Sequence, residues 1–185
     1  MIEEFVRAKD PYIEKYLKKK FTVETDPVKK LSLSRYLVRL QDEEALDFYI
    51  EYMITKEEVP DDSSPLNPLY WLRKPKFINK VLELYQLAQD KKFYSDNFKD
   101  LRSITSNALQ NIAKFGNNFP LVKPKIEAWI KKKKRIAKSQ KENLPPNLIN
   151  DLFFYLESFE MEYYNRVEML SLEQAIALYK SIHRL

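Results

Sequence analysis

Cysteine is absent from this chain of 185 residues, and glycine and histidine occur once each, as Gly116 and His183. Without cysteine there are no disulfides, no thiolate zinc ligands and no cysteine nucleophile. A single glycine excludes glycine-rich phosphate-binding loops and disfavours sheets, whose tight turns and bulges use glycine. One histidine near the chain end is too few for a histidine metal site or a Ser-His-Asp relay, so His183 is expected to lie on the surface.

Long apolar runs are also missing. No segment approaches the length of a membrane span, and the first twenty residues mix charged and apolar side chains, unlike a signal peptide. We therefore expect a cytoplasmic protein. Hydrophobic residues make up 44% of the chain and aromatic residues 14%, which is enough to build a core and argues against disorder of the whole chain.

Apolar residues recur at helical spacing along the chain, and the breaks fall at proline, asparagine and aspartate. The first half predicts one broken or two short helices over residues 2–21 with Pro11 starting the second, helices behind Asp26 and Asp42, a helix over Pro75–Gln89, and one over Asn97–Phe115 that Asp96 caps and Gly116 ends. The second half predicts a helix after Pro120 and Pro124 that continues into a lysine run, one starting at Pro145 and Pro146, and a last one with the capping box Ser171 and Gln174.

No strand pattern is evident, so the predicted fold is all-α, with seven to nine helices. The helices recur in pairs with short connections, which favours an irregular stack of antiparallel pairs, either a HEAT-like α-solenoid or a compact bundle. We expect a single helical domain over residues 1–185, with a weak subdivision after residue 115. On the last helix, the predicted buried face includes Ile176 and Tyr179.

Five segments of the chain share a degenerate helical pattern: EEALDFYIEYM from Glu43, VPDDSSPLNPL from Val59, KVLELYQLA from Lys80, SITSNALQNIA from Ser103 and ESFEMEYY from Glu157. They resemble HEAT-like helical repeats, in particular the C-terminal helical regions of large bacterial NACHT-type (STAND) signalling ATPases. The resemblance implies recognition of a partner rather than catalysis, in a bacterial defence or signalling system. None of these segments is a catalytic motif.

The strongest local charge anomaly is the segment Lys123–Lys141, which carries nine basic residues and one acid, Glu127. The whole chain has a formal net charge of only +5, so the remainder is net negative and the basic character is local. Candidate phosphate-contacting residues are Lys131, Lys132, Lys133, Lys134, Arg135 and Lys138. The alternatives are a solvated helix end, non-specific nucleic-acid binding and an acidic protein partner.

Aromatic residues cluster between Phe153 and Tyr164 and cover more than one side of the predicted helix, which indicates either a central helix or a partner-binding groove. A second aromatic pair follows the polar loop Glu57–Pro68, a long loop that we expect to be exposed. Candidate partner-binding residues are Tyr70, Trp71, Phe154, Tyr155, Tyr163 and Tyr164.

Acidic clusters at Asp42–Glu44, Glu57–Glu58 and Asp61–Asp62 have ordinary explanations as helix caps or solvated loops. We therefore predict no catalytic residue, no metal, no cofactor and no membrane partner. The predicted function is that of a non-enzymatic helical-repeat protein-interaction or scaffold domain. The alternative is a nucleic-acid-binding accessory domain that uses the basic segment 123–141.

Overall fold

A computed structural model describes residues 6, 8, 10–60, 66–90, 98, 100–141, 143–145, 147–168, 176, 177, 179 and 180. Seven α-helices lie within these residues: α1 Pro11–Val23, α2 Pro27–Arg39, α3 Glu43–Lys56, α4 Ile78–Gln89, α5 Leu101–Lys114, α6 Phe119–Gln140 and α7 Leu148–Glu168. Short 3-10 turns occur at Pro68–Trp71 and Pro75–Phe77. The described residues include no strand, so the predicted all-α class and the helix number are confirmed.

Aspartates begin the first three helices, as predicted for Asp26 and Asp42. Asp10 Oδ1 accepts from the Tyr12 amide at 2.8 Å, and Asp26 Oδ1 accepts from the Val28 amide at 2.9 Å. Asp42 does the same for α3. Each carboxylate pairs with amides that have no partner inside the helix and lies at the positive end of the helix dipole, so the charge stabilises the helix start.

The chain divides into two compact units, of which the first comprises Met1–Leu72 and Ser95–Ala108. In this unit α1 packs on α2 and α2 packs on α3. On α3, Tyr49 has no exposed surface, and its hydroxyl donates to the Pro60 carbonyl at 2.6 Å. The buried side chain of Asn67 donates to the same carbonyl at 3.1 Å. These bonds tie both ends of the polar loop to the core.

The second unit comprises Arg73–Tyr94 and Leu109–Leu185. Here α4 packs against α6, which is not its neighbour along the chain, and α6 packs against α7. The buried residues of these three helices are mostly aliphatic and aromatic, including Leu82, Tyr85, Ile126, Trp129 and Leu152. A hydrogen bond also joins α6 to α4: Trp129 Nε1 donates to Glu83 Oε1 at 2.9 Å.

Three predicted helix starts were wrong. The helix predicted from Asn97 begins at Leu101, and the helix expected to start after Pro124 begins at Phe119 and contains that proline. Phe119 and Val122 are buried, and their packing holds the extra turn despite the hydrogen bond that Pro124 cannot donate. The helix predicted to start at Pro145 begins at Leu148.

Two positions of the predicted last helix are exposed. Ile176 and Tyr179, which were expected on a buried face, are 47% and 56% exposed. The loop after α3 was expected to be exposed, yet Val59, Pro60, Asn67 and Pro68 are buried there. Ser171, Gln174 and His183 lie outside the described residues.

Several turns place residues other than glycine in the left-handed backbone region. Glu57 and Lys141 follow α3 and α6 with φ of 53° and 56°, and Gln41 and Asn147 have φ of 69° and 66°. Gly116 has φ of 54° and follows α5, as the sequence predicts.

Candidate interaction surfaces

The C-terminal half of α6 carries a basic face that consists of Lys131, Lys132, Lys134, Arg135 and Lys138, all exposed. Lys131, Arg135 and Lys138 are spaced by four and three residues, so they lie along one line of the helix that is about 10 Å long. Lys132 and Lys134 lie on either side of this line. Five of the six predicted phosphate-contacting residues therefore face solvent.

Lys133 is the exception. Its Nζ contacts Glu83 Oε2 at 2.6 Å and lies 5.1 Å from the Trp129 ring centroid. It is only partly exposed, because it lies on the side of α6 that packs toward α4. Lys133 thus helps to hold α6 in place.

The first half of α6 uses its cations differently. Lys123 Nζ contacts Glu160 Oε1 on α7 at 2.5 Å, and Lys125 Nζ donates to the Pro75 carbonyl at 3.2 Å. The hydrogen bond to Glu160 raises the pKa of Lys123 above its usual value of 10.5. Both lysines join α6 to neighbouring segments.

The outer side of α7 carries an apolar stripe that consists of Phe154, Met161 and Tyr164. Their side chains are 67%, 64% and 54% exposed. Spacings of seven and three residues place them along one side of the helix over about 15 Å. Glu157 is exposed between Phe154 and Met161 on the same side. The sequence analysis identified Phe154 and Tyr164 but missed Met161, although its seven-residue distance from Phe154 is a signal that could have found it.

The inner side of α7 holds the other two candidate aromatics. Tyr163 is 8% exposed, with its ring centroid 5.5 Å from that of Phe119, and its burial raises the pKa of the phenol. Tyr155 is half-buried and stacks on Phe159 at 6.0 Å. These two tyrosines belong to the packing of the second unit, whereas Phe154 and Tyr164 face outward.

One contact joins the basic face to the aromatic end of α7. Lys134 Nζ lies 5.3 Å from the ring centroid of Phe153, which is adjacent to Phe154. A cation above an aromatic ring is attracted by the electrons of the ring face. Through this pair the basic face contacts α7 one residue before Phe154, the first residue of the stripe.

The candidate pair Tyr70 and Trp71 is half-buried in the first unit. The Tyr70 hydroxyl accepts from Asn107 Nδ2 at 3.3 Å, and the Trp71 carbonyl accepts from Gln41 Nε2 at 2.6 Å. The guanidinium of Arg39 lies 5.5 Å from the Trp71 ring. Both aromatics pack against their own unit.

Among the residues that the structure describes, no group of three or more histidine, aspartate or glutamate side chains is arranged to hold a metal ion. The searched helices include none that is long and apolar enough to cross a membrane. The acidic cluster Asp42–Glu44 begins α3, as expected for a cap, whereas Asp61 and Asp62 lie outside the described residues.

Comparisons of the chain with protein-family models, with curated proteins and with solved structures return no match. The resemblance to HEAT-like repeats and to NACHT-type ATPases therefore stays a prediction.

Proposed function

We propose that this chain is a non-enzymatic protein-interaction module that binds its partner through the outer surface of α7. The observation that supports the proposal is the apolar stripe, in which three large side chains on one line are each more than half exposed. Such side chains lose unfavourable contact with water when a partner covers them, and aromatic residues supply much of the binding energy of protein interfaces.

The charges around the stripe favour a protein partner with acidic side chains over a nucleic acid. Glu157 lies within the stripe and would repel a phosphate backbone laid along α7, whereas a protein partner can place a polar or basic group against it. The adjoining basic face attracts carboxylates. A protein segment that presents apolar side chains to α7 and acidic side chains to α6 satisfies both surfaces.

Site-specific photo-crosslinking in the cells that produce the protein tests this function. A benzoylphenylalanine in place of Phe154 or Tyr164 should give the same protein adduct, because both positions lie on the stripe. A benzoylphenylalanine in place of Tyr12, which is 83% exposed on α1, is the matched control and should not give that adduct.

Two further variants make the test specific. Adding Met161→Asp should remove the adduct, and adding Arg135→Glu should weaken it, with the helical circular dichroism spectrum unchanged in both. Identical adducts from Phe154, Tyr164 and Tyr12 positions, or an adduct that Met161→Asp leaves intact, would contradict the proposal.

We extend the proposal, on the resemblance of its sequence segments, to a cytoplasmic scaffold or sensing role of HEAT-like type in a bacterial defence or signalling system. The order α1, α2, α3 within the first unit supports this extension, because helices that are consecutive in the chain pack on each other in repeat proteins. We expect that deletion of the coding sequence abolishes phage resistance. The wild-type chain should restore the resistance, whereas the Met161→Asp variant should not. Unchanged phage sensitivity of the deletion strain would remove the defence role while leaving the binding surface untouched.

A second candidate function, nucleic-acid binding, is favoured by the basic face. Five exposed cations lie within eight residues, and three of them form a line that can follow a phosphate backbone. Consecutive lysines suit phosphate contact without base recognition, so we expect similar affinity for unrelated sequences.

Fluorescence anisotropy with labelled single- and double-stranded DNA and RNA at low and physiological salt tests this candidate. If the basic face binds, the triple variant Lys131→Glu, Arg135→Glu, Lys138→Glu loses binding and its salt dependence. A matched triple variant on the first unit, Lys15→Glu, Lys19→Glu and Lys29→Glu, changes the same number of exposed cations and should retain it. Equal loss in both variants, or no binding at low salt, would rule out a nucleic-acid site on α6.

A further inference from the structure

A polar cleft lies in the second unit, where the C-terminal ends of α4 and α6 meet the segment 143–145. Its volume is about 510 Å³, within the range of sites that hold small organic ligands. Four of its lining side chains are carboxamides: Gln86, Gln89, Gln140 and Asn143. Carboxamides offer a donor and an acceptor in one plane, which sets the kind of ligand that they can bind.

Two of these carboxamides have unused hydrogen-bonding atoms. Gln86 Oε1 and Gln89 Nε2 are buried and have no protein partner. A buried polar atom without a partner destabilises the fold, because it loses its bond to water and gains none in return. The terminal torsion of glutamine is soft, so either amide can turn toward the cleft at little cost when a partner arrives there.

The other groups in the cleft limit the ligand further. Asp90 and Lys133 supply one charge of each sign, and Lys133 already contacts Glu83 at 2.6 Å. A ligand with a large net charge therefore gains little. The described lining residues include no aromatic ring on which a nucleobase could stack, whereas Ile136 and Leu144 provide apolar contact.

We propose that this cleft binds the main-chain amides of a short extended peptide, with Gln86 accepting from a peptide N–H and Gln89 donating to a peptide carbonyl. An extended main chain presents N–H and C=O groups in alternation. It can therefore donate a hydrogen bond to Gln86 Oε1 and accept one from Gln89 Nε2. The site goes beyond the surface on α7 and involves none of its residues.

The first test titrates N-acetyl-trialanine amide into the full ¹⁵N-labelled chain and follows the side-chain amide signals by NMR. The signals of Gln86 and Gln89 should shift saturably, with a dissociation constant on the order of 1 mM, while that of Gln110 on α5 stays fixed. Uridine and sodium acetate serve as nucleobase and carboxylate probes and should give no saturable shift. No saturable shift with the peptide, or a stronger one with uridine, would overturn the proposal.

The second test uses the variant Gln86→Leu with Gln89→Leu, which keeps similar side-chain volume and removes the amides. Peptide affinity should fall at least tenfold, and the melting temperature should rise by about 2–4 °C because two buried orphan atoms disappear. Gln110→Leu is the matched control and should change neither. A lower melting temperature in the double variant would mean that the amides bond within the protein, for example to each other, and would refute a ligand role.

Discussion

The two halves of α6 differ in how they use positive charge. In the first half Lys123 and Lys125 bond to Glu160 and to the Pro75 carbonyl. In the second half Lys131, Arg135 and Lys138 extend into solvent along one line. The first half thus uses its cations for packing between segments, while the second half leaves all of those in the basic face exposed and only Lys133 contacts α4.

Burial changes along the helix in the same way. Val122, Ile126, Trp129 and Ile130 are buried in the first half, but beyond Ile130 no described residue of α6 is fully buried, and Ile136 and Ala137 are half-buried. The second half therefore depends on the helix propensity of lysine, arginine, alanine and glutamine more than on a core. Substitutions in the two halves should have different, and partly opposite, effects on stability.

The largest effect is expected from Trp129→Ala in the first half. Trp129 is 5% exposed and donates to Glu83, so its loss leaves a cavity and an unpaired carboxylate oxygen. The free energy of unfolding should fall by about 3–5 kcal/mol. Urea denaturation followed by circular dichroism measures it. Ala128→Gly, one residue earlier and exposed, is the control and should cost about 1 kcal/mol.

A smaller effect of opposite sign is expected from Arg135→Glu in the second half. Arg135 has like charges at Lys131 and Lys138, four residues before and three after it. Such pairs destabilise a helix by a few tenths of a kcal/mol each, and reversal makes both attractive. Stability should rise by about 0.5–1 kcal/mol at low salt, and the gain should shrink in 1 M NaCl. A loss of stability would show that Arg135 has a structural role like that of Lys123.

The smallest effect is expected from Lys123→Gln, which removes the contact to Glu160. Both side chains are about one-third exposed, so solvent screens the pair and its contribution should be about 0.5 kcal/mol. The pKa of Lys123 is raised in the folded protein, so this contribution is fully present below the usual pKa of 10.5 and is lost as the pH rises through the folded-state value.

The measurement is the difference in urea stability between wild type and Lys123→Gln from pH 7 to pH 12. It should stay constant to about pH 10 and then decrease. Lys125→Gln, whose partner is a carbonyl rather than a carboxylate, is the control with a smaller difference. A difference that grows with pH would contradict the assigned sign.

The helices could be predicted because their signals are local. Asp10, Asp26 and Asp42 cap the helices that follow them, and the apolar spacing of α3 and α4 matches their buried sides. Helix starts at proline were less predictable. Pro124 lies inside α6 because packing of Phe119 and Val122 outweighs the bond that it cannot donate, and the sequence around a proline does not report that packing.

The candidate site was predicted only in part. Composition located the basic segment and the aromatic cluster, but both Tyr163 and Phe154 were candidates, and only the second faces solvent. Which side of α7 is covered depends on Phe119 and Tyr85, which are distant in sequence. The cleft of Gln86 and Gln89 could not be found at all, because glutamines on a helix usually indicate no more than a solvated side.

The left-handed turns after α3 and α6 are positions at which the stability of the protein can be increased. Residues other than glycine are destabilised in this backbone conformation by about 1–2 kcal/mol. A substitution by glycine recovers only part of this energy, because glycine loses more conformational freedom on folding. Glu57 and Lys141 are both exposed, so Glu57→Gly and Lys141→Gly remove no core contact. Together the two substitutions should raise the free energy of unfolding without changing any residue of the apolar stripe or of the carboxamide cleft.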